Sequence, residues 1–272
     1  MRPAGARGCA VLLALALLPA AAPPARAQDY APAAPAGPQP GAFALLERAL
    51  PCGPGAPAAE LCATRWLALA SLETRAAALL VAPAGTRVAL GVSQTGDPAL
   101  GWTSVALAVG GAAEQGGAAL RAVARLDRAT GDWDAERLAR EGGIEAGAGA
   151  WIAPGRATVL WASAPQLWLS GQSPPLLRPA ELGARARGNA IAAWVVVVAP
   201  RRGDDGERSA GLSLGAPPLE AWGEVRDGPL RGSLGVRAVV RSVVVEASAD
   251  AHPVLGETTR LGLAWRGAGR AH

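Results

Sequence analysis

The chain has 272 residues, half of them hydrophobic, with 26 basic and 22 acidic side chains, nine tryptophans, and one tyrosine and one phenylalanine. Every base is an arginine, which stays protonated to about pH 12, so a small basic excess suffices for the pI near 9.7. The near balance of charges excludes a nucleic-acid footprint, and the absence of lysine excludes Schiff-base chemistry.

Residues 1–27 read as a secretory signal. Arg2 and Arg7 form a positive n-region, Ala10 to Ala22 a short apolar stretch, and Ala25-Arg26-Ala27 a small-x-small cleavage site before Gln28. The stretch is shorter than the ~18 residues of a membrane helix and is broken by Pro19. Cys9 precedes it, unlike the acceptor cysteine of a lipoprotein. Cleavage near Ala27 predicts a periplasmic or extracellular protein. The alanine-rich, lysine-free composition points to a GC-rich bacterial genome, and hence to the bacterial envelope.

Residues 28–41 are rich in proline and alanine and read as a tether. Residues 42–82 read as a disulfide-stapled helical region. A short helix from Phe43 to Leu50 is stopped by Pro51, and a longer helical stripe runs from Ala58 to Val81 through Leu61, Trp66, Leu69, Leu72, Leu79 and Leu80. Cys52 and Cys62 are expected to pair in an oxidising compartment, closing a loop worth about 2–3 kcal/mol. With His252 and His272 as the only histidines, no metal site and no cofactor is expected.

From Thr86 the period changes to alternation, and residues 83–170 read as a β-rich unit. Val88, Leu90 and Val92 alternate with Arg87, Ala89 and Gly91. Val105, Leu107 and Val109 follow, then Leu120 to Asp127 with Arg121 and Arg125 outward. Asp132 caps a short helix from Trp133 to Arg140, and strands resume at Ala150–Ile152, Ala157–Ala162 and Gln166–Ser170.

Residues 171–188, with three prolines, read as a linker or a crossing between sheets, and 189–266 as a second β-rich unit before a tail at 267–272. Ala190 to Ala199 suits a strand buried on both faces. Ala210, Leu212 and Leu214 read as a core face with Ser213 outward. A long strand carries Leu230, Leu234, Val236, Ala238 and Val240 on one face, and its apolar phase slips to Val243 and Val245, which predicts a bulge or break near Arg241. The last strand turns Leu261, Leu263 and Trp265 inward.

Short alternating strands with few helices predict a mainly β protein with a short helical N-terminal region, packed as an antiparallel β-sandwich of one large or two tandem units. An outer-membrane barrel is the rival. It requires aromatic girdles, and the single tyrosine and phenylalanine both precede the strands, so the sandwich is preferred.

Gly211-Leu212-Ser213-Leu214-Gly215 matches the nucleophile-elbow pattern, with Asp250 and His252 downstream, but Pro217 and Pro218 follow where a helix is needed, so no catalytic residue is assigned. Asp132, Asp134 and Glu136 lack calcium-loop spacing, and Arg202-Gly203-Asp204 sits in a charged turn. Trp151, Trp161 and Trp168 are the candidate ligand platform, since exposed indoles stack on sugar rings, although core packing explains the tryptophans better. The expected function is that of an exported, non-catalytic envelope protein with a binding, structural or surface-assembly role. A carbohydrate-binding module is the alternative, and a secreted hydrolase the lesser one. The expected partner is another envelope or surface protein, with a polysaccharide second, no nucleic acid, and no integral membrane span.

Overall fold

The computed structural model describes residues 39, 41–51, 57–66, 72–83, 85–96, 100–129, 142–155, 157–171, 179–199, 206–227, 230–252 and 256–267. Among these residues one short helix, α1 (Ala42–Arg48), precedes fourteen strands: β1 (Ala58–Arg65), β2 (Glu73–Val81), β3 (Thr86–Gly96), β4 (Leu100–Ala113), β5 (Gly116–Ala129), β6 (Gly142–Gly155), β7 (Thr158–Gly171), β8 (Glu181–Arg187), β9 (Ile191–Val198), β10 (Glu207–Ala216), β11 (Leu219–Arg226), β12 (Arg231–Val240), β13 (Val243–His252) and β14 (Gly256–Arg266). Each strand pairs antiparallel with its sequence neighbour, and β1 pairs with β14 from Ala58↔Arg266 to Arg65↔Thr259, closing a barrel. The expected sandwich is therefore overturned. A closed barrel leaves no edge for a second sheet to protect.

Alternation located strands such as β3 and β11, but β6 starts at Gly142 rather than near Ala150, β14 at Gly256 rather than Arg260, and the helical stripe over Ala58–Val81 is two strands, β1 and β2. Their alanine and leucine content favours a helix in isolation, and the ladders to β14 and β3 override it. The stretch 171–188 contains β8, so the two β-rich units are arcs of one wall. The phase slip at Arg241 is a two-residue hairpin: Val240 pairs with Val243, and Arg241 takes a left-handed φ of 56°. The leader at 1–27, the helix over 133–140, Cys52 and the acidic cluster at Asp132 lie outside the described residues.

The two ends of the barrel differ. The connections β2–β3, β4–β5, β6–β7, β8–β9, β10–β11 and β12–β13 take two to four residues, and at this turn end β1 starts and β14 stops. The opposite connections take up to twelve residues, between β5 and β6, and define a loop end. The wall is also uneven in height. Strands β4 to β7 have 14 residues each, whereas β8 has 7 and β9 has 8.

The sense of the alternation is the reverse of the expected one. Arg87 is 4 % exposed and Leu90 is 52 % exposed; Arg121 is buried beside an exposed Leu120; Leu212, Leu214, Leu261, Leu263 and Trp265 all point outward. On β9, Ala192, Trp194 and Val196 face in while Ile191, Val195 and Val197 face out. That strand is apolar on both faces because one meets the packed interior and the other the outside.

α1 lies inside the barrel. Ala42, Leu45, Leu46, Ala49 and Leu50 are buried, and the helix packs on inner-wall alanines Ala58, Ala78, Ala89, Ala108 and Ala119, whose small side chains leave room for it. Burying a leucine is worth about 2 kcal/mol, so Leu45 and Leu46 alone hold the plug appreciably. The helix ends at Ala49, which turns left-handed (φ 54°) and donates its N–H to Leu45 O at 3.0 Å. Across the lumen Leu50 joins Trp151, Trp161, Trp194, Val196 and Trp222 in a second cluster.

Candidate functional site

The interior carries a set of paired charged side chains. Arg121 and Glu145 pair at 2.9 Å, Arg226 and Glu224 at 2.6 Å, Arg237 and Glu246 at 2.7 Å, and Arg231 pairs with Glu207. The first three pairs join neighbouring inward positions, the Arg231–Glu207 pair reaches from β12 past β11 to β10, and Ser233 donates to Asp250 at 2.6 Å. A buried charge is tolerable only when paired in this way. Arginine suits the task, since its planar fork stacks as well as pairs: Arg185 sits 5.9 Å from the Trp194 ring centroid, and Arg237 sits 5.7 Å from that of Trp222.

The same groups anchor α1. Glu60 of β1 accepts the Phe43 N–H at 2.8 Å, and its carboxylate occupies the space a β-carbon on Gly41 would need. Glu47 pairs with Arg260 at 3.3 Å and Arg48 with Glu181 at 3.9 Å. Past the helix, Ser163 donates to Arg48 O, and the Trp151 indole N–H to Pro51 O. On the wall, a β-carbon on Gly149 would lie 2.6 Å from Ala49 O, so glycine there admits the end of the plug.

Towards the loop end, a cavity of about 150 Å³ remains between α1, strands β1–β7 and Arg260 of β14. Its floor is Phe43, Leu46 and the Glu47–Arg260 pair, and Trp66 and Trp102 flank its upper wall. The Trp66 indole N–H donates to Thr74 Oγ1 at 2.7 Å, and Thr74 shares a further 2.7 Å hydrogen bond with Thr95.

The residues singled out from sequence do not form one site. Trp151 and Trp161 are buried in the lumen, opposite each other on β6 and β7, whereas Trp168 is 54 % exposed on the outer surface, so the three share no platform. Seven residues apart on one strand, Trp161 and Trp168 have opposite parity. Ser213 faces in, not out, and is 2 % exposed between Ala192 and Trp222, its cross-strand partners. Asp250 serves Ser233, and no helix follows Ser213 to build an elbow. Cys62 faces the cavity and is a free cysteine among the described residues; its expected partner Cys52 lies outside them. The plug contacts of Glu47, Glu60 and Arg260 were missed. The one available signal was a buried-type helix followed by a chain whose arginines alternate with aliphatics.

No family model matches the chain, and no curated protein does. Among solved structures it is similar to a mutant of the Rhodopseudomonas blastica porin (10 % identity, TM-score 0.39, covering 77 % of this chain and 98 % of that one). It is likewise similar to the Acinetobacter baumannii outer membrane protein Omp33 (10 %, TM-score 0.48, 78 % and 98 %) and to the KdgM porin (6 %, TM-score 0.40, 77 % and 99 %).

The barrel corrects several expectations together. A protein that presents Leu, Val, Ile and Ala around its whole circumference is not a soluble periplasmic or extracellular one, and the absence of an integral span does not hold, because strands can do the crossing. The readings as a soluble binding or surface-assembly protein, a carbohydrate-binding module and a secreted hydrolase fall with it. The aromatic girdle that argued against a barrel is thin: its described outward tryptophans are Trp168 towards the loop end and Trp265 at the turn end, 51 % exposed.

Proposed function

We propose that this chain is an outer-membrane β-barrel whose lumen is a channel for small polar solutes, occluded by α1. The observation that carries the reading is the inverted alternation: aliphatic side chains outside and paired arginines and carboxylates inside, on a sheet with no free edge. In hydrocarbon every backbone polar group needs an internal partner, which closed ladders supply. No described helix is long and apolar enough to cross a membrane. Short turns at one end and longer loops at the other match a barrel with the turn end towards the periplasm. The export signal read at residues 1–27 supports the same address. The polar wall extends past the plug into the cavity, which leaves space for a solute beside α1.

The test has two parts. Membranes of the native host washed with carbonate should retain the protein, and the folded barrel should migrate differently before and after boiling. In planar bilayers the full-length exported chain should conduct weakly, and a variant lacking residues 42–48 should conduct steadily. Release into the wash would overturn the membrane reading, and silence of both forms would overturn the channel.

A further inference from the structure

The lumen is not uniform around its circumference. On the β10–β14 side, the inward side chains of the loop-end half are packed on one another: Asp250, Ser233 and Thr258 are each 1 % exposed, and the Arg231–Glu207 and Arg226–Glu224 pairs lie beside them, with Glu224 also taking the Trp194 indole N–H at 2.8 Å. α1 packs elsewhere, against the alanine wall, so this half is closed by its own ion pairs. On the β1–β6 side the wall above α1 instead carries hydroxyls, Thr64, Thr74, Ser93, Thr95 and Ser104, around the 150 Å³ cavity.

We propose that the lumen is divided, with a binding chamber for small uncharged polar solutes beside β1–β6 and a permanent seal beside β10–β14, so that the solute path is eccentric. This rests on the channel reading above. The volume sets the size, since a cavity of this order takes a molecule of about six to eight heavy atoms. The chemistry sets the class. The chamber's charged side chains are already engaged, Arg121 with Glu145, Arg260 with Glu47, and Arg125 in a contact of its own, so an ionic solute would have to displace one of these contacts or enter uncompensated. The hydroxyl row offers both donors and acceptors, and Trp66, Trp102 and Phe43 offer apolar faces, which together suit a neutral molecule with hydrogen-bonding groups on a small carbon frame.

The native Cys62 lines the chamber and is its reporter. In a Cys52→Ser background folded into phosphatidylcholine vesicles, Cys62 is exposed to methyl methanethiosulfonate and to its ethylammonium and ethylsulfonate analogues. Parallel chains lacking Cys62 carry Ser104→Cys in the chamber, or Ser209→Cys or Ser233→Cys in the sealed half, where these serines are 8 % and 1 % exposed. Altered migration on boiling shows which variants have folded, and two seal positions guard against one failing to. Labelling does not require conduction, so it is read separately from the bilayer test. Cys62 and Ser104→Cys should react, and the neutral reagent should lead either charged one by about tenfold after correction for reactivity with free thiol. The seal positions should stay unmodified. Equal labelling on both sides would overturn the division, unreactive Cys62 and Ser104→Cys would overturn the chamber, and a lead by a charged reagent would overturn the solute class.

Discussion

Trp194 on β9 lies directly against Gly211 on β10, its register partner, so that a β-carbon on the glycine would fall inside the indole. The arrangement recurs around the inner wall: Trp161 over Gly183, Trp222 over Gly235, and Trp151 against Gly117, where a β-carbon would sit 2.7 Å from the indole nitrogen. Each pair is directly cross-strand. A ring spread over a bare glycine covers backbone that would otherwise be poorly packed and fixes which residue faces which.

Gly211→Ala should therefore destabilise the barrel by about 1–3 kcal/mol through overpacking. Gly232→Ala, where no atom lies within 4 Å of the added carbon, should be nearly neutral. Urea titration of the folded fraction in vesicles, read by migration without boiling, checks the difference. Equal effects would deny the pairing its structural role.

Leu234 is 70 % exposed near the middle of β12. Were the protein soluble, Leu234→Arg would be a harmless surface change. Facing lipid, it should cost about 2–4 kcal/mol. The same titration measures it, and a shift within about 0.5 kcal/mol would place the outer face in water.

Release of the plug should follow loss of its ion pairs. Glu47→Gln removes the partner of Arg260, and a break of this partly exposed pair is expected to shift the plugged equilibrium by about 1–2 kcal/mol, a factor of about 5–30 in open probability. Single-channel recording of this variant beside the unaltered protein reads it directly. Unchanged gating would mean that the pair holds nothing.

Ser213→Ala should leave a fluorophosphonate probe with as little to label as before. The serine is buried between strands and has no described histidine or acid contact that would activate it, so deletion costs at most about 1 kcal/mol of a hydrogen bond. Labelling abolished by the substitution would restore the hydrolase reading.

Strands such as β3 were legible in the sequence, unlike β1, β2 and β8, because period two is the same whichever side is buried, and Arg87 alternating with Val88 and Leu90 fixes the pleat. The sense was not legible for the same reason. Leu90 looks identical facing a protein core or a lipid chain, and only the partners of Arg87 and Arg121 inside the barrel decide it. The scarcity of Phe and Tyr misled, because the outward aromatic side chains among the described residues are tryptophans, Trp168 and Trp265. Of the site, α1 could be read from Leu45, Leu46 and Pro51, but not its place in the lumen. That depends on the register that brings Glu60, Arg260 and Gly149 around it.

On the membrane reading proposed above, the unequal wall has a consequence for the surrounding lipid. At about 3.3 Å per residue and a tilt near 40°, strands of 14 residues rise about 35 Å, while those of seven or eight rise about 19 Å. The taller arc exceeds the ~25 Å apolar band of such membranes and the shorter arc falls below it. Hydrophobic mismatch then acts in opposite directions on the two sides of one molecule. The bilayer is drawn thin along β8 and β9, or the barrel leans to bring that arc deeper. Acyl chains compressed there would form a local defect, a seam at which lipids exchange faster than around the rest of the circumference.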